Sequence, residues 1–466
     1  MSLAGIILAA GKGTRMKSDL PKGLHRVCGV PMVQQIGVAM KQAGIETPII
    51  VVGFGGDAMM STLGEGYAFA WQHEQNGTGH AAKVAMEALL ITGATHVIIA
   101  PGDTPLLASK VFAELYEVAI ERHAQCVVSV AALDDPTGYG RVISDYKGPL
   151  KIVEHKDATH EERDCKFVNA AIYCFEVATL QQFLPRLASN NAQGEEYLTD
   201  IIGMIREDDG LVVAYDAKDP NILLGVNDRW QLAQASKLLQ EKILRQHAEN
   251  GVTIIDPTST YIEVGVEIGV DTVIEPGTIL EGGTVIGAKC HIGPNTKIKR
   301  SAVGSGSTIL MSHLERAVVG ENCRCGPFAN LRPHAVLGKG VKIGNFVEVK
   351  NARLGDSVSA SHLSYLGDGE VGARSNIGAG TIFCNYDGYL KHQTSIGEEV
   401  FVGSNSTLVA PIEIGSGAII AAGSVITSNV PENALALGRA RQEVKEGWAQ
   451  SWRQRKIAEK ERRSNA

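Results

Sequence analysis

The sequence predicts two folds in succession, an α/β domain with a mostly parallel sheet and then a parallel β-helix. Up to residue 227, apolar segments of strand length alternate with segments of helical spacing. From residue 252 to residue 440, an aliphatic residue recurs at every sixth position, with interruptions. Residues 228–251 are predicted to be a linker helix, because their apolar residues have helical spacing and Asn250-Gly251 can end a helix. Residues 441–466 form a C-terminal tail.

The alternation argues for an α/β fold because each helix lets the chain cross back and add a parallel strand. In such folds ligands bind beyond the carboxyl ends of the strands. The predicted strands are Ile6–Ala10, Pro48–Val52, His96–Ala100, Cys126–Val130, Val168–Phe175 and Leu211–Tyr215. The predicted helices are Val33–Ala43, His80–Leu90, Phe112–Glu121 and Leu198–Arg206.

The six-residue repeat is neither a helical period nor that of a simple alternating strand. It fits short strands joined by tight corners, with one aliphatic residue per side pointing inward, and hexapeptide repeats are a β-helix signature. An ordinary sandwich of short strands would not keep three runs in phase. The runs are Ile262, Ile268, Ile274, Leu280, Ile286, Ile292 and Ile298, then Val319, Cys325, Leu331, Leu337, Ile343 and Val349, then Ile396, Val402, Leu408, Ile414, Ile420 and Ile426.

Composition narrows the class of protein. Hydrophobic residues are 44% and charged residues 20%, and the net charge is −7, so no overall attraction to nucleic acid is indicated. The eight cysteines are scattered without zinc or redox spacing. The sequence shows no signal peptide and no apolar stretch of membrane-spanning length, so we expect a cytoplasmic protein with no membrane partner. The basic tail from Lys445, with Trp448 and Trp452, is expected to fray or to pack on a neighbouring subunit.

A glycine-rich loop follows the first predicted strand, in the stretch from Leu8 to Met16. Its two glycines let the backbone turn closely round a ligand and offer N–H groups to phosphate. The loop has neither the Walker A ending nor the GxGxxG pattern, so by itself it is weak evidence. Pro21-Lys22 follows closely, so that Arg15 and Lys22 are both candidates to face a polyphosphate.

With Thr-Arg-Met in this loop and the downstream Pro-Lys, the chain resembles sugar-nucleotide pyrophosphorylases, which have a Rossmann-like nucleotidyltransferase domain. The resemblance implies that Asp103 and Asn227 bind Mg²⁺, and that Arg15 and Lys22 act on the departing pyrophosphate and the transferring phosphoryl group. It also places Tyr139-Gly140-Arg141 at the sugar. The implied substrate-binding residues are Leu8, Ala9, Ala10, Gly11, Lys22, Gln72, Gly77, Thr78, Pro101, Gly102, Asp103, Gly140, Glu154, Asn169 and Asn227.

Three of these residues also have a structural interpretation. Asp103 could cap the turn before Thr104-Pro105. Asn169, beside a buried strand, could satisfy backbone groups, and Glu154 could belong to a solvated charge run. The functional interpretation is favoured, because seven matching positions occur in this sequence in the same order as in the pyrophosphorylase family.

The repeat resembles the left-handed β-helix of hexapeptide-repeat acyltransferases, which commonly form trimers with active sites between neighbouring coils. Inserted residues should leave the coil as loops, and residues 384–395 are such a break. The resemblance implies that His362 is a general base oriented by Glu348, although any one of the 13 histidines could be structural. It implies sugar-phosphate binding by Arg332, Lys350, Tyr365, Asn376, Asn385 and Tyr386. It implies an acetyl-coenzyme A groove at Ala379, Ser404, Ala422 and Arg439.

In this order the motifs resemble the family of bifunctional N-acetylglucosamine-1-phosphate uridylyltransferase/glucosamine-1-phosphate acetyltransferases, over nearly the whole chain. The implied substrates are UTP, N-acetylglucosamine-1-phosphate, glucosamine-1-phosphate and acetyl-coenzyme A, with Mg²⁺ as cofactor and a homotrimer as the assembly. One alternative is a nucleotidyltransferase whose β-helix only trimerises it or binds a regulator. Another is a non-catalytic scaffold, which the set Arg15, Lys22, Asp103 and Asn227 disfavours.

Overall fold

The computed structural model describes residues 2–219, 221 and 224–464. These residues form two compact units. The first contains the residues up to Glu249 together with Tyr261–Gly265, and the second contains Asn250–Thr260 and the residues from Val266 onward. The helix Arg229–Glu249, predicted as a linker, is grouped with the first unit.

The first unit is built on a nine-stranded sheet. Its seven-strand path is parallel except for Phe167–Glu176, which is antiparallel to both neighbours. The hairpin Arg141–Asp145 and Gly148–Val153 extends from that strand. The predicted α/β fold is confirmed. Across the sheet the order is Val212–Asp216, Cys126–Ala132, Phe167–Glu176, His96–Pro101, Leu3–Leu8, Ile49–Val52 and Ala68–Trp71.

Helices cover both faces of this sheet, because successive residues of a strand point to opposite sides. Ile6 packs into one hydrophobic cluster and Ile7 into the other. A small pair of strands, Arg26–Val27 and Val30–Pro31, precedes the first long helix, and Tyr261–Ile262 is a further short strand. The α-helices are Met32–Gln42, Gly56–Leu63, Thr78–Ile91, Ser109–Arg122, His160–Arg163, Val177–Phe183, Asp200–Glu207 and Arg229–Glu249. Single 3-10 turns are Thr14–Met16, Lys22–Leu24 and Leu184–Arg186.

The second unit is a left-handed β-helix, as predicted. Its short parallel strands pair from one coil to the next, so that Ile274, Ile292 and Ile309 form one buried inward column. The strands are Thr253–Ile254, Glu267–Ile268, Val273–Ile274, Ile279–Glu281, Val285–Ile286, His291–Ile292, Lys297–Lys299, Ala302–Val303, Thr308–Ile309, His313–Glu315, Val318–Val319, Arg324–Cys325, Asn330–Leu331, Val336–Leu337, Lys342–Asn345, Glu348–Leu354, Ser359–His362, Tyr365–Val371, Asn376–Ile377, Ile382–Cys384, Thr394–Ile396, Phe401–Val402, Thr407–Val409, Ile412–Ile414, Ile419–Ile420, Val425–Ile426 and Leu435–Ala436.

The interruptions of the repeat have two different causes. Between Ile298 and Val319 the inward positions are taken by Val303, Ile309 and Leu314, so the coil continues with shortened corners. This interruption therefore contains no inserted loop. The break after Cys384 is an inserted loop, as expected.

The tail also differs from its expectation, because Trp448–Ser464 is a helix. Fraying is therefore wrong for these residues. Glu459 pairs with Lys456 and Arg463 along one side of the helix, which stabilises it slightly. Over the residues that the structure describes, no helix is both long and apolar enough to cross a bilayer.

The inward column should carry the stability of the β-helix. Ile286 is 2% exposed, whereas its strand neighbour Val285 is 45% exposed and points outward. Ile286→Ala should lower the free energy of unfolding by about 2–5 kcal/mol, because it leaves a cavity in a closed core. Val285→Ala, the matched control, should change it by less than about 1 kcal/mol. Chemical denaturation followed by circular dichroism measures both, and equal losses would contradict an inward column.

Candidate functional site

The first candidate site lies at the carboxyl edge of the parallel strands. Leu8 and Pro101 end neighbouring strands in register, and the Gly102 N–H donates to the Leu8 carbonyl at 2.8 Å. A Cβ atom on Gly102 would lie 2.9 Å from the Cβ of Ala9, so the two loops approach as closely as glycine permits. The predicted residues of both loops, from Leu8 to Gly11 and from Pro101 to Asp103, therefore share one edge.

Four predicted side chains meet at this edge. The Lys22 ammonium contacts the Asp103 carboxylate and lies 2.8 Å from Asn227 Oδ1. A guanidinium nitrogen of Arg15 also donates to Asn227 Oδ1, at 2.8 Å. The Val226 N–H donates to the backbone carbonyl of Asp103, which ties the two distant segments together.

These side chains fit a magnesium ion by their chemistry. Asp103 and Asn227 offer oxygen atoms that converge on the same lysine nitrogen, and oxygen ligands are those that Mg²⁺ prefers. Among the described residues there is no group of three or more His, Cys, Asp or Glu side chains that could hold a metal. Phosphate and water oxygens would therefore have to complete the coordination.

Three of the predicted substrate-binding residues, Gln72, Gly77 and Thr78, lie in the segment that follows the edge strand Ala68–Trp71. Gln72 is buried and donates from Nε2 to the Gly77 carbonyl at 3.0 Å, and the same nitrogen lies 3.1 Å from His80 Nδ1. Gly77 has a φ of 104°, which favours glycine. Thr78 Oγ1 accepts from the Leu198 N–H at 3.1 Å, so this loop is anchored on two sides.

The predicted sugar-binding residues also lie together. The Asn169 N–H donates to the Gly140 carbonyl at 2.9 Å, and a Cβ atom on Gly140 would lie 3.4 Å from the Glu154 carboxylate. Burial raises the pKa of the Glu154 carboxyl, which is not what a solvated charge run would show. Asn169 donates to Tyr173 Oη at 2.7 Å and accepts from the Ala171 N–H at 3.0 Å, so its structural interpretation also has support.

Arg141 differs from its expectation as a residue at the sugar. It is 1% exposed and donates to the backbone carbonyls of Tyr139 and Arg163. The guanidinium therefore holds the hairpin in place by satisfying backbone acceptors from inside.

The second candidate site lies on neighbouring coils of the β-helix. Glu348 is in register with Tyr365, and Arg332 donates to the Glu348 carboxylate at 2.7 Å. His362 is exposed, in register with Asn345 on the adjacent coil. Within the described part of the chain no hydrogen bond joins Glu348 to His362, and one oxygen of the Glu348 carboxylate is paired with Arg332.

Asp368 is a member of this cluster that the sequence analysis missed. Its carboxylate contacts Asn385 and Asn351, and lies 3.6 Å from the Lys350 ammonium. The signal was available, because Asn351 and Asn385 each lie 17 residues from Asp368, which is one coil of the β-helix.

The inserted loop after Cys384 is held by its own contacts. Tyr386 and Lys391 form a bridge, with the Lys391 ammonium 4.2 Å from the Tyr386 ring centre. His392 Nε2 lies 2.6 Å from a carboxylate oxygen of Asp387, and this hydrogen bond lowers the pKa of Asp387. A polar cavity of about 400 Å³ lies beside the loop, lined by residues that include His334, Arg353, Asp368, Lys391 and His392.

The predicted coenzyme residues form a ladder along one edge of the β-helix. The Asn405 N–H donates to the Ala379 carbonyl and the Gly423 N–H to the Ser404 carbonyl, which places Ala379, Ser404 and Ala422 on successive coils. Arg439 is one coil further, with its Cδ 4.0 Å from where a Cβ on Gly423 would be. Asn376 lies in register with Ser359, on the same sheet as His362.

Comparison with known families agrees with this division. Residues 5–161 match the MobA-like NTP transferase domain, residues 253–358 the GMPPB C-terminal domain, and residues 393–428 the hexapeptide repeat of succinyl-transferase.

Curated relatives match nearly the whole chain, and each is named "Bifunctional protein GlmU". The protein of Geobacillus sp. (strain WCH70) is 47% identical over 444 residues, covering 95% of this chain and 96% of its own. That of Geobacillus thermodenitrificans (strain NG80-2) is 47% identical, covering 97% and 98%. That of Clostridioides difficile (strain 630) is 46% identical, covering 98% and 99%. The resemblance to a bifunctional family is confirmed, and the chain belongs to the GlmU family of bifunctional proteins.

Proposed function

We propose that this chain makes UDP-N-acetylglucosamine in two reactions. The first transfers an acetyl group from acetyl-coenzyme A to glucosamine-1-phosphate, and the second transfers a uridylyl group from UTP to N-acetylglucosamine-1-phosphate. The observation that carries the proposal is the presence of two separate polar clusters, one in each unit of a chain that belongs to a bifunctional family. The cluster around Lys22 and Asp103 suits phosphates, and the one formed by Lys350, Asp368 and Asn385 suits an amino sugar phosphate.

In uridylyl transfer, an oxygen of the sugar phosphate attacks the α-phosphorus of UTP. A phosphorus–oxygen bond forms, the bond to the β-phosphate breaks, and pyrophosphate leaves. No protein nucleophile is needed, so positioning and charge neutralisation carry the catalysis. Arg15 and Lys22 supply positive charge to the departing pyrophosphate and the transferring group, and the backbone from Leu8 to Gly11 lies against the nucleotide.

Asp103 and Asn227 would hold Mg²⁺. When bound, the ion neutralises charge on the phosphate oxygens. Gln72, Gly77 and Thr78 recognise uracil.

The remaining substrate contacts of the first unit are to the acetylated sugar. Gly140, Glu154 and Asn169 bind it, and Pro101 and Gly102 form the floor of the nucleotide site. These assignments are supported by the shared edge of the sheet on which the residues lie.

In acetyl transfer, the sugar amine attacks the thioester carbonyl. A carbon–nitrogen bond forms and the carbon–sulfur bond breaks, so that coenzyme A leaves as a thiolate. His362 takes the proton of the amine and returns a proton to the thiolate. Arg332 and Lys350 bind the phosphate of the sugar, and Tyr365, Asn376, Asn385 and Tyr386 bind its other polar groups. Ala379, Ser404, Ala422 and Arg439 line the coenzyme groove.

We propose a cytoplasmic homotrimer, with no membrane or nucleic-acid partner. In one chain the His362 side chain is exposed and makes no hydrogen bond within the described residues, which supports a site completed by a neighbouring copy. Incubation with glucosamine-1-phosphate, acetyl-coenzyme A, UTP and magnesium tests the two reactions together. Release of both free thiol and pyrophosphate is expected. If pyrophosphate is released from UTP only when ready-made N-acetylglucosamine-1-phosphate is supplied, and no thiol is released, the chain is a nucleotidyltransferase without acetyl-transfer activity.

Asp103→Asn should lower uridylyl transfer by about 10- to 100-fold or more, because one metal-binding charge is lost with little change of volume. Acetyl transfer should persist, since it belongs to the other unit. Pyrophosphate release over a magnesium titration measures the effect. Asp209→Asn, at an exposed carboxylate of the same unit, is the control and should match the wild type. Equal loss of both activities in a folded protein would contradict separate sites.

His362→Ala should lower acetyl transfer by about 10²- to 10⁴-fold, the usual contribution of a general base. The loss should shrink as the pH rises, because more of the sugar amine is then already neutral. Thiol and pyrophosphate release are measured in parallel, and uridylyl transfer to ready-made N-acetylglucosamine-1-phosphate should be unchanged. His291→Ala, on the same sheet several coils away, is the control. Normal thiol release from His362→Ala would make this histidine structural.

Light scattering coupled to size-exclusion chromatography should find three chains per particle. The physical reason is that the exposed His362 and the coenzyme ladder need a facing surface to form a closed cleft. A monomer with full acetyl-transfer activity would contradict a shared site.

A further inference from the structure

Asp368 uses both oxygens of its carboxylate. Oδ1 accepts from Asn351 Nδ2 at 2.7 Å, and Oδ2 accepts from Asn385 Nδ2. Oδ2 also lies 3.6 Å from the Lys350 ammonium. The Asp368 side chain is only 12% exposed, so these contacts fix it in one position between two neighbouring coils.

The contact with Asn385 determines which way that amide points. A carboxylate only accepts hydrogen bonds, so the NH₂ end of Asn385 must face Asp368. The same nitrogen lies 3.4 Å from Tyr365 Oη. The amide oxygen is then the group that Asn385 can offer to a ligand, and it is an acceptor. Glucosamine-1-phosphate carries hydroxyl and ammonium groups, which are donors.

We propose that Asp368 is a positioning residue of the acetyl-transfer site. It acts through Asn385, whose amide oxygen it keeps directed toward the donors of glucosamine-1-phosphate. The inference rests on the proposed acetyl transfer and adds a residue that does not itself touch the substrate.

A purely structural role is the competing explanation. Asp368 has a φ of 52°, and aspartate tolerates this left-handed conformation at corners better than most residues. A corner residue needs no particular partner, however, since Asn405, Ser357 and Arg374 occupy other corners with positive φ. What a corner role does not explain is the arrangement of three polar partners on one carboxylate, among them Asn385, which is 4% exposed.

The contact with Lys350 predicts an effect of the opposite sign. If Asp368 mainly neutralised this ammonium, its removal would free a positive charge for the phosphate. Binding of glucosamine-1-phosphate would then tighten, whereas loss of the amide orientation weakens it. The direction of the change in KM therefore separates the two roles.

Steady-state kinetics of thiol release by the full-length protein tests the proposal. Asp368→Asn can present an NH₂ group to Asn385 and lets both amides rotate. It should raise the KM for glucosamine-1-phosphate by about 10- to 100-fold, the range for losing a charge-assisted hydrogen bond. The KM for acetyl-coenzyme A should stay within about twofold, and Asp368→Glu, which keeps the charge, should recover part of the loss.

A double-mutant cycle distinguishes a positioning role from a purely structural one by testing whether the effects of the two substitutions on KM are additive. In the Asn385→Ala background, Asp368→Asn should add less than about a threefold further change, because the group through which it acts is already gone. Full additivity, a lowered KM for the sugar phosphate, or an unchanged KM would each overturn the proposal.

Controls separate this result from misfolding and from failure of the proposed function. Asp356→Asn makes the same change at a corner carboxylate that accepts from the Lys339 N–H, and its kinetics should match the wild type. If Asp368→Asn does not fold, as judged by its melting curve, Asn351→Ala is used instead. That variant frees the other carboxylate oxygen and should raise the same KM by a smaller factor, and no change would overturn the proposal. Absence of thiol release from the wild type would refute the acetyl transfer itself.

Discussion

The parallel register between coils is the constraint on which the second site depends. Each inward aliphatic residue must lie over its counterpart in the previous coil, because a thin prism has room for one side chain per side and layer. Outward residues inherit this register without contributing to it. Glu348 therefore faces Tyr365 across one coil spacing, and Asp368 lies beside Asn385. The packing of the aliphatic core therefore determines the positions of these polar residues, although they are not part of that core.

The α/β unit also brings together polar residues that are far apart in the sequence, but it does so through the edge of its parallel sheet. Parallel strands bring their carboxyl ends to one edge, and the loops that leave this edge carry the polar groups. Lys22, Asp103 and Asn227 come from three separate connecting segments, yet the Lys22 ammonium contacts both of the other side chains. The close packing of the glycine-rich loop against Lys22 depends on glycine, because a Cβ atom on Gly13 would lie 2.7 Å from the Lys22 Cβ.

The sequence was sufficient for features that repeat or that depend on local pattern. The six-residue period predicted the β-helix, and apolar segments predicted the long strands. It did not predict that Phe167–Glu176 runs antiparallel, because strand direction is set by the neighbours a strand joins. The sequence also did not predict which side chain pairs with Glu348. Arg332 and His362 both lie within one coil of it, and only the three-dimensional structure distinguishes them. Asp368 could have been predicted, because Asn351 and Asn385 are each one coil away from it in the sequence. The helix Trp448–Ser464 was not predicted, because its many charged residues hide any apolar helical spacing.

Three of the cations assigned to phosphates, Lys22, Arg332 and Lys350, are paired with a carboxylate, whereas Arg15 donates to the amide oxygen of Asn227. The ion pairs differ in how exposed they are to solvent. Arg332 and Glu348 are 45% and 34% exposed, and pairs of this kind contribute about 0–1 kcal/mol, so a phosphate can compete for the arginine at little cost. Their hydrogen bond raises the pKa of Arg332. Lys22 and Asp103 are less exposed, at 17% and 24%, and separating them leaves a half-buried carboxylate without a partner. A cation that replaced the lysine at Asp103 would remove this penalty, which is consistent with the magnesium ion that we propose for the first site.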